Sequence, residues 1–249
     1  MRSSLIHLLC FLSLLGSGCS NNDLNNPSSI TENSKETEHF KFVLYDNLSE
    51  SIIPDISKKL KDNYLRVLND LGVSSASKIT VKIWNNETNY LNAQQKDLGI
   101  KYPGSTGYVY GQTEVRILYI GNSSQTALHE VCHVISMYVN KTIPNNPRWL
   151  WESVALYEAQ DFTNPNFIYY LVQGNYPTIT ELNSDFNSGN QKIYQVGFLL
   201  SEFIINTWGK SGYISIIKSN GNIQNTFGIT VKQFEENWKA FVTEKYLEH

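Results

Sequence analysis

His129-Glu130-Val131-Cys132-His133 is the stretch on which the reading of this chain turns. It follows a strand-like run, Val115 to Ile120, and a turn, Gly121-Asn122-Ser123-Ser124, whose side-chain oxygens suit the start of a helix. From Thr126 to Val139 the residues suit a mostly buried helix. On a helix, positions i and i+4 share a face, so His129 and His133 stand side by side and can grip one metal through ring nitrogens. Glu130 is turned one step away, near the metal but free to handle a proton. A catalytic zinc takes three protein ligands and leaves a fourth position for water. The other reading of the stretch is a helix whose two histidines are ordinary core or surface residues. The chain has only five histidines, so a chance pairing at this spacing is improbable.

Working outward, Pro144-Asn145-Asn146-Pro147 breaks the helix and turns the chain. Arg148 to Glu158 then reads as a second helix with Glu152 early in it, among apolar residues. A carboxylate in such company is costly unless paired or bound to a metal. A helix–loop–helix hairpin would return Glu152 to the histidines as the third ligand. Cys132, inside the motif, is expected to be a small buried core residue rather than a ligand, because its position is displaced away from His133 around the helix.

At 249 residues, 41% hydrophobic and 12% aromatic, the chain can bury a sizeable core. Its net charge of −3, without a basic stripe, points away from nucleic acid. Residues 1–19 read as a targeting segment: Arg2, the apolar run Leu5 to Leu15, then Gly16-Ser17-Gly18-Cys19. Small residues before a cysteine look like a bacterial lipoprotein signal, with Cys19 carrying the lipid, although Gly16 stands where such signals usually have Leu. The alternative is an ordinary signal peptide. Residues 20–38, polar and nearly free of apolar side chains, read as a flexible tether. The expected location is therefore extracytoplasmic, anchored to a bacterial membrane.

Residues 39–249 are expected to form one domain, with an N-lobe of about 39–140 and a helical C-lobe of about 141–249. Phe40 to Tyr45 reads as a strand. Ile53 to Leu71 repeats at helical spacing with Gly72 placed to end it. Ile79 to Trp84 alternates as a strand, Glu87 to Leu98 is a weaker helix, and Gly107 to Gly111 forms a hairpin with Val115 to Ile120. The expected class is α+β: a small mixed sheet backed by helices, the motif helix, then helices to the end. In the C-lobe, Asn164 to Gln173 reads as a helix. Gly174 to Gly189 is a polar connection docked by Ile179 and Leu182, and Ile193 to Trp208 is an apolar helix closed by Gly209. Thr230 to Gln233 reads as a capping box opening a last helix with Phe234, Trp238 and Phe241 inward.

The motif, followed after a Pro-containing turn by Pro147-x-Trp149-Leu150-x-Glu152, resembles the gluzincin zinc metallopeptidases. More closely it resembles the peptidase-MA-like branch that shares their thermolysin-like catalytic domain. Tyr194-Gln-Val-Gly197-Phe198 and Phe234-Glu-Glu-Asn-Trp238 are similar to that branch as well. The resemblance implies a zincin fold and zinc held by His129, His133 and Glu152, with Glu130 as general base in hydrolysis of a peptide or protein substrate. Tyr194 is the candidate donor to the oxyanion, Tyr157 a weaker one, and the strand from Gly111 to Ile120 the candidate edge for extended peptide. Two departures stand out. Ser153 replaces the usual Gly after the third ligand, and Leu156 stands where many relatives place a carboxylate that holds a ligand histidine. Glu158 or a backbone carbonyl is then the candidate substitute partner. These departures motivate the alternative of a catalytically weak or inactive metallopeptidase-like surface binding protein.

Overall fold

The computed structural model describes residues 33–184 and 191–247; the targeting segment with Cys19 and most of the proposed tether lie outside them. The sheet is built from β1 (Asn33–Glu36), β2 (Phe40–Leu44), β3 (Ile79–Trp84), β4 (Gly107–Tyr110) and β5 (Glu114–Leu118). Their spatial order is β1-β2-β3-β5-β4. β2, β3 and β5 run parallel, and β1 and β4 pair antiparallel at the two edges. β1 corrects the tether reading for residues 33–36. Its described side chains are exposed, with backbone pairing and one Glu36–Lys78 ion pair at 2.9 Å holding it, so no apolar pattern marks it.

Two helices follow the first two parallel strands as crossovers. α1 (Ile53–Asp70) buries Ile56, Leu60, Tyr64 and Val67 against the sheet. It ends where Gly72 takes a left-handed φ of 66°, with Val73 N–H bonding back to the Leu68 carbonyl at 2.8 Å. α2 (Glu87–Leu98) covers the other face, where Trp84, Tyr90, Tyr108 and Leu118 form a small second core. On that face Arg116 sits 4.3 Å from the Tyr110 ring centre and pairs with Asp97, which also accepts from the Tyr108 hydroxyl at 2.8 Å.

α3 (Ser123–Val139) carries the histidine motif and packs on α1, β5 and β4. Its start differs from expectation: Asn122 makes no capping bond through its side chain. The Ser123 hydroxyl instead accepts from Ile120 N–H at 2.9 Å. α4 (Arg148–Glu158) follows a turn in which Asn145 has a φ of 50°.

The segment expected as a helix over Asn164 to Gln173 is a 3-10 turn, Pro165–Phe167, and a short helix, α5 (Tyr169–Val172). Phe167 is 85% exposed rather than packed. α6 (Ile179–Leu182) opens on a Thr178–Glu181 capping box and buries both Ile179 and Leu182. α7 spans Lys192–Lys218 with a break at Gly209, whose φ of 69° and ψ of −179° are open to glycine. A second helical stretch after that break was not expected. α8 (Ile223–Phe227) and α9 (Val231–Val242) follow, α9 opening on the expected Thr230–Gln233 capping box with Phe234 and Trp238 buried, and a short π-helix, Thr243–Leu247, ends the described residues. No described helix is long and apolar enough to cross a membrane.

Glu158, at the far end of α4, is fully buried. Its Oε2 accepts from Arg66 of α1 at 3.2 Å, and Arg66 also reaches the Glu158 backbone carbonyl. Arg66 in turn pairs with Asp70 at 3.3 Å, and Asp70 with Lys210 of α7 at 2.6 Å. This network of hydrogen bonds and ion pairs ties α1, α4 and α7 together. Glu158 is therefore not the partner of a ligand histidine.

Candidate metal centre

The two histidines of α3 and the glutamate of α4 meet as the spacing predicts. His129 Nε2 lies 3.3 Å and His133 Nε2 3.5 Å from Glu152 Oε2, and one ligand atom from each residue lies within 4.8 Å of the others. All three side chains are largely buried. Tetrahedral ligands about 2.0–2.2 Å from one ion stand about 3.3–3.6 Å apart. Glu152 Oε2, moreover, is buried without a hydrogen-bond partner among the described residues. Three lone-pair donors converging with one of them orphaned is the pattern that a bound cation resolves. His129, His133 and Glu152 could hold a metal ion.

The electrostatics follow from burial and crowding. Burial pushes the Glu130 carboxyl up to about 7, with Glu152 adding to the rise and His129 opposing it. Burial likewise holds His133 down at about 4 despite Glu152, and the His129 ring adds to that lowering. For His129 burial is outweighed by the Glu152 and Glu130 carboxylates, so its pKa is raised. Burial acts against the charge of Glu152 too, but the two imidazoles prevail and hold its pKa low.

Gly107 of β4 explains how Glu130 fits. A methyl group built on Gly107 would stand 2.5 Å from Glu130 Oε1, 2.8 Å from its Cγ and 2.9 Å from Thr126 Cγ2. The carboxylate therefore lies flush against the bare backbone of an edge strand. That strand is β4, not the Gly111–Ile120 run expected to be the edge: β5 lies between β3 and β4. The hairpin turns its first strand outward, an outcome that alternation alone does not decide.

Tyr194, from the first turn of α7, reaches the group. Its hydroxyl donates to Glu152 Oε1 at 3.3 Å, and the Arg148 guanidinium lies 5.4 Å from its ring centre. Burial raises its pKa, so the phenol keeps its proton and remains a donor. Tyr157 faces elsewhere, packing on Phe198 and Tyr213. Cys132 is buried in the core, as expected.

Ser153 and Leu156 have a steric account. Gly197 of α7 lies so close to α4 that an added methyl would meet Leu156 Cδ1 at 2.6 Å and Ser153 Cα at 3.2 Å. The small residue at this crossing is thus supplied by α7, which leaves room for Ser153, and the Ser153 hydroxyl returns to the Trp149 carbonyl at 2.6 Å. Leu156 fills apolar space at the same crossing. His133 Nδ1 is left without a hydrogen-bond partner among the described residues. The His133 ring stacks instead on Trp151, with centres 3.9 Å apart and planes 14° from parallel. Gly107 and Trp151 carry no motif of their own, and only their places across the fold expose them.

The fold and site together define a mixed α+β protein with a buried His–His–Glu group suited to a metal ion. No protein-family model matches the chain, and no curated protein matches it.

Proposed function

We propose that this chain is a thermolysin-like zinc metallopeptidase, exported and held at the membrane surface through a lipid on Cys19. The observation that carries the reading is the convergence of His129, His133 and Glu152 donor atoms with the Glu130 carboxyl one helical step away. A zinc ion bound there would polarise the scissile carbonyl and acidify a water molecule. Glu130, one helical step from the ligands, takes a proton from the attacking water as the new carbon–oxygen bond forms. It then delivers that proton to the amide nitrogen as the carbon–nitrogen bond breaks. Tyr194, kept protonated by burial, turns its hydroxyl from Glu152 to donate a hydrogen bond to the oxyanion. β4, an edge strand against Glu130, offers unpaired backbone groups along which an extended peptide can align.

A second reading, a surface binding protein that retains metal without turnover, is favoured by one observation: His133 Nδ1 has no hydrogen-bond partner among the described residues. One experiment separates the two. The chain is incubated with an unstructured protein, with and without chelator, beside Glu130→Gln and Glu152→Ala. Chelator-sensitive cleavage lost in Glu130→Gln with about one zinc per chain retained, and zinc weakened in Glu152→Ala, is the expected result. Full cleavage by Glu130→Gln refutes the mechanism, and zinc binding without cleavage favours the binding protein.

A further inference from the structure

A histidine that ligates a metal through Nε2 is ordinarily held in orientation by a hydrogen bond from its other ring nitrogen. His133 has no such bond among the described residues, although Nδ1 is buried. Two aromatic neighbours confine its ring. The Trp151 indole lies parallel at 3.9 Å, and the His129 imidazole stands nearly perpendicular, 89°, at 4.7 Å. Trp151 is itself buried, in the turn of α4 that also supplies Glu152. Rotation of the His133 ring about its Cβ–Cγ bond would drive an edge of the imidazole into the indole. The stack therefore blocks the ring flip that would exchange Nε2 for a carbon and turn it away from Glu152. The plate also keeps water from the imidazole face. Leu156, on the next turn of α4, packs at the α4–α7 crossing and offers no acceptor.

We propose that Trp151 is the positioning residue of the metal centre, its indole doing by stacking what a hydrogen bond to Nδ1 does elsewhere. The inference rests on the reading of His129, His133 and Glu152 as metal ligands. It implies a ligand held in place by shape rather than by an acceptor, on the same turn of helix that delivers the third ligand.

The test measures zinc affinity of the full chain by chelator competition, in wild type and in Trp151→Phe, Trp151→Leu and Trp151→Met. The first variant keeps a flat ring, and the other two are non-planar and differ in shape, so that one unstable protein does not end the experiment. Expected is a loss of about 10-fold or more in the non-planar variants, the scale seen when ligand supports are removed, with roughly 3-fold or less in Trp151→Phe. The thermal midpoints of the metal-free chains supply the control: a merely structural role lowers affinity in step with them, whereas a positioning role separates Phe from Leu and Met at comparable midpoints. Cobalt absorption adds a signature, with the ligand-field bands expected unchanged in Trp151→Phe and altered in the other two. Wild-type affinity in the non-planar variants, or equal loss in all three, overturns the role of Trp151 while leaving the metal centre standing. A wild-type chain that takes up no zinc overturns both.

Discussion

Replacing Glu158 by Gln isolates one proton in the stability of the whole fold. Glu158 is fully buried, and its pKa is pushed from an ordinary 4.5 up to about 8, first by burial and then by the Asp70 carboxylate, against the pull of Arg66 and Lys210. Cys132, Tyr157 and Tyr213 also face it. Below pH 4.5 both folded and unfolded chains hold this proton, and the stabilisation is complete. Between pH 4.5 and about 8 the unfolded chain has released it while the buried carboxyl keeps it, so stability falls as pH rises. Above about 8 both forms are ionised and the decline ends. Within the window one proton is worth about 1.4 kcal/mol per pH unit, several kcal/mol across it. That is a large share of the roughly 5–15 kcal/mol that holds a domain folded. Gln keeps an oxygen for Arg66 and has no proton to lose. Urea denaturation from pH 5 to 9 should therefore show the wild-type curve falling more steeply than the variant's by about that slope, with Glu158→Gln the more stable at pH 8. Parallel curves would refute the reasoning, because the proton would then not be held by the fold.

Two further predictions concern the proposed chemistry. Gly107→Ala places a methyl 2.5 Å from Glu130 Oε1, so turnover should fall by about 10-fold or more while zinc affinity stays near wild type; steady-state kinetics beside chelator competition would check both, and unchanged kcat would show that β4 yields instead. Tyr194→Phe removes the hydroxyl 3.3 Å from Glu152 and should lower kcat by about 100-fold with little change in KM, the scale for one oxyanion donor; a loss confined to KM would assign Tyr194 to substrate binding.

What was legible in the chain follows from where each signal resides. The motif helix and α4 were marked by continuous apolar character and by the breaker cluster between them, and the meeting of His129, His133 and Glu152 needed only that hairpin. β1 escaped because an edge strand with exposed side chains shows no alternation. Residues 165–172 misled in the opposite way: Phe167, Ile168 and Leu171 imitate a helical stripe, yet only Ile168 and Leu171 are buried. The place of β5 inside the sheet was a matter of which way a hairpin folds. Gly107, Trp151 and Gly197 act through neighbours distant in the chain, Glu130, His133 and Ser153, so their roles have no local spelling.

β1 also sets how the protein answers to force. Its four pairs run from Asn33 opposite Leu44 to Glu36 opposite Lys41, so a pull on the chain ahead of Asn33 meets them at the open end of a hairpin. Bonds loaded in this way break in succession, each bearing the tension alone, rather than shearing together. The strand would peel like a zipper at low load and release four residues of slack, roughly 13 Å, before tension reached β2. The parallel strands and the histidine pair behind them would be shielded by a sacrificial first tooth.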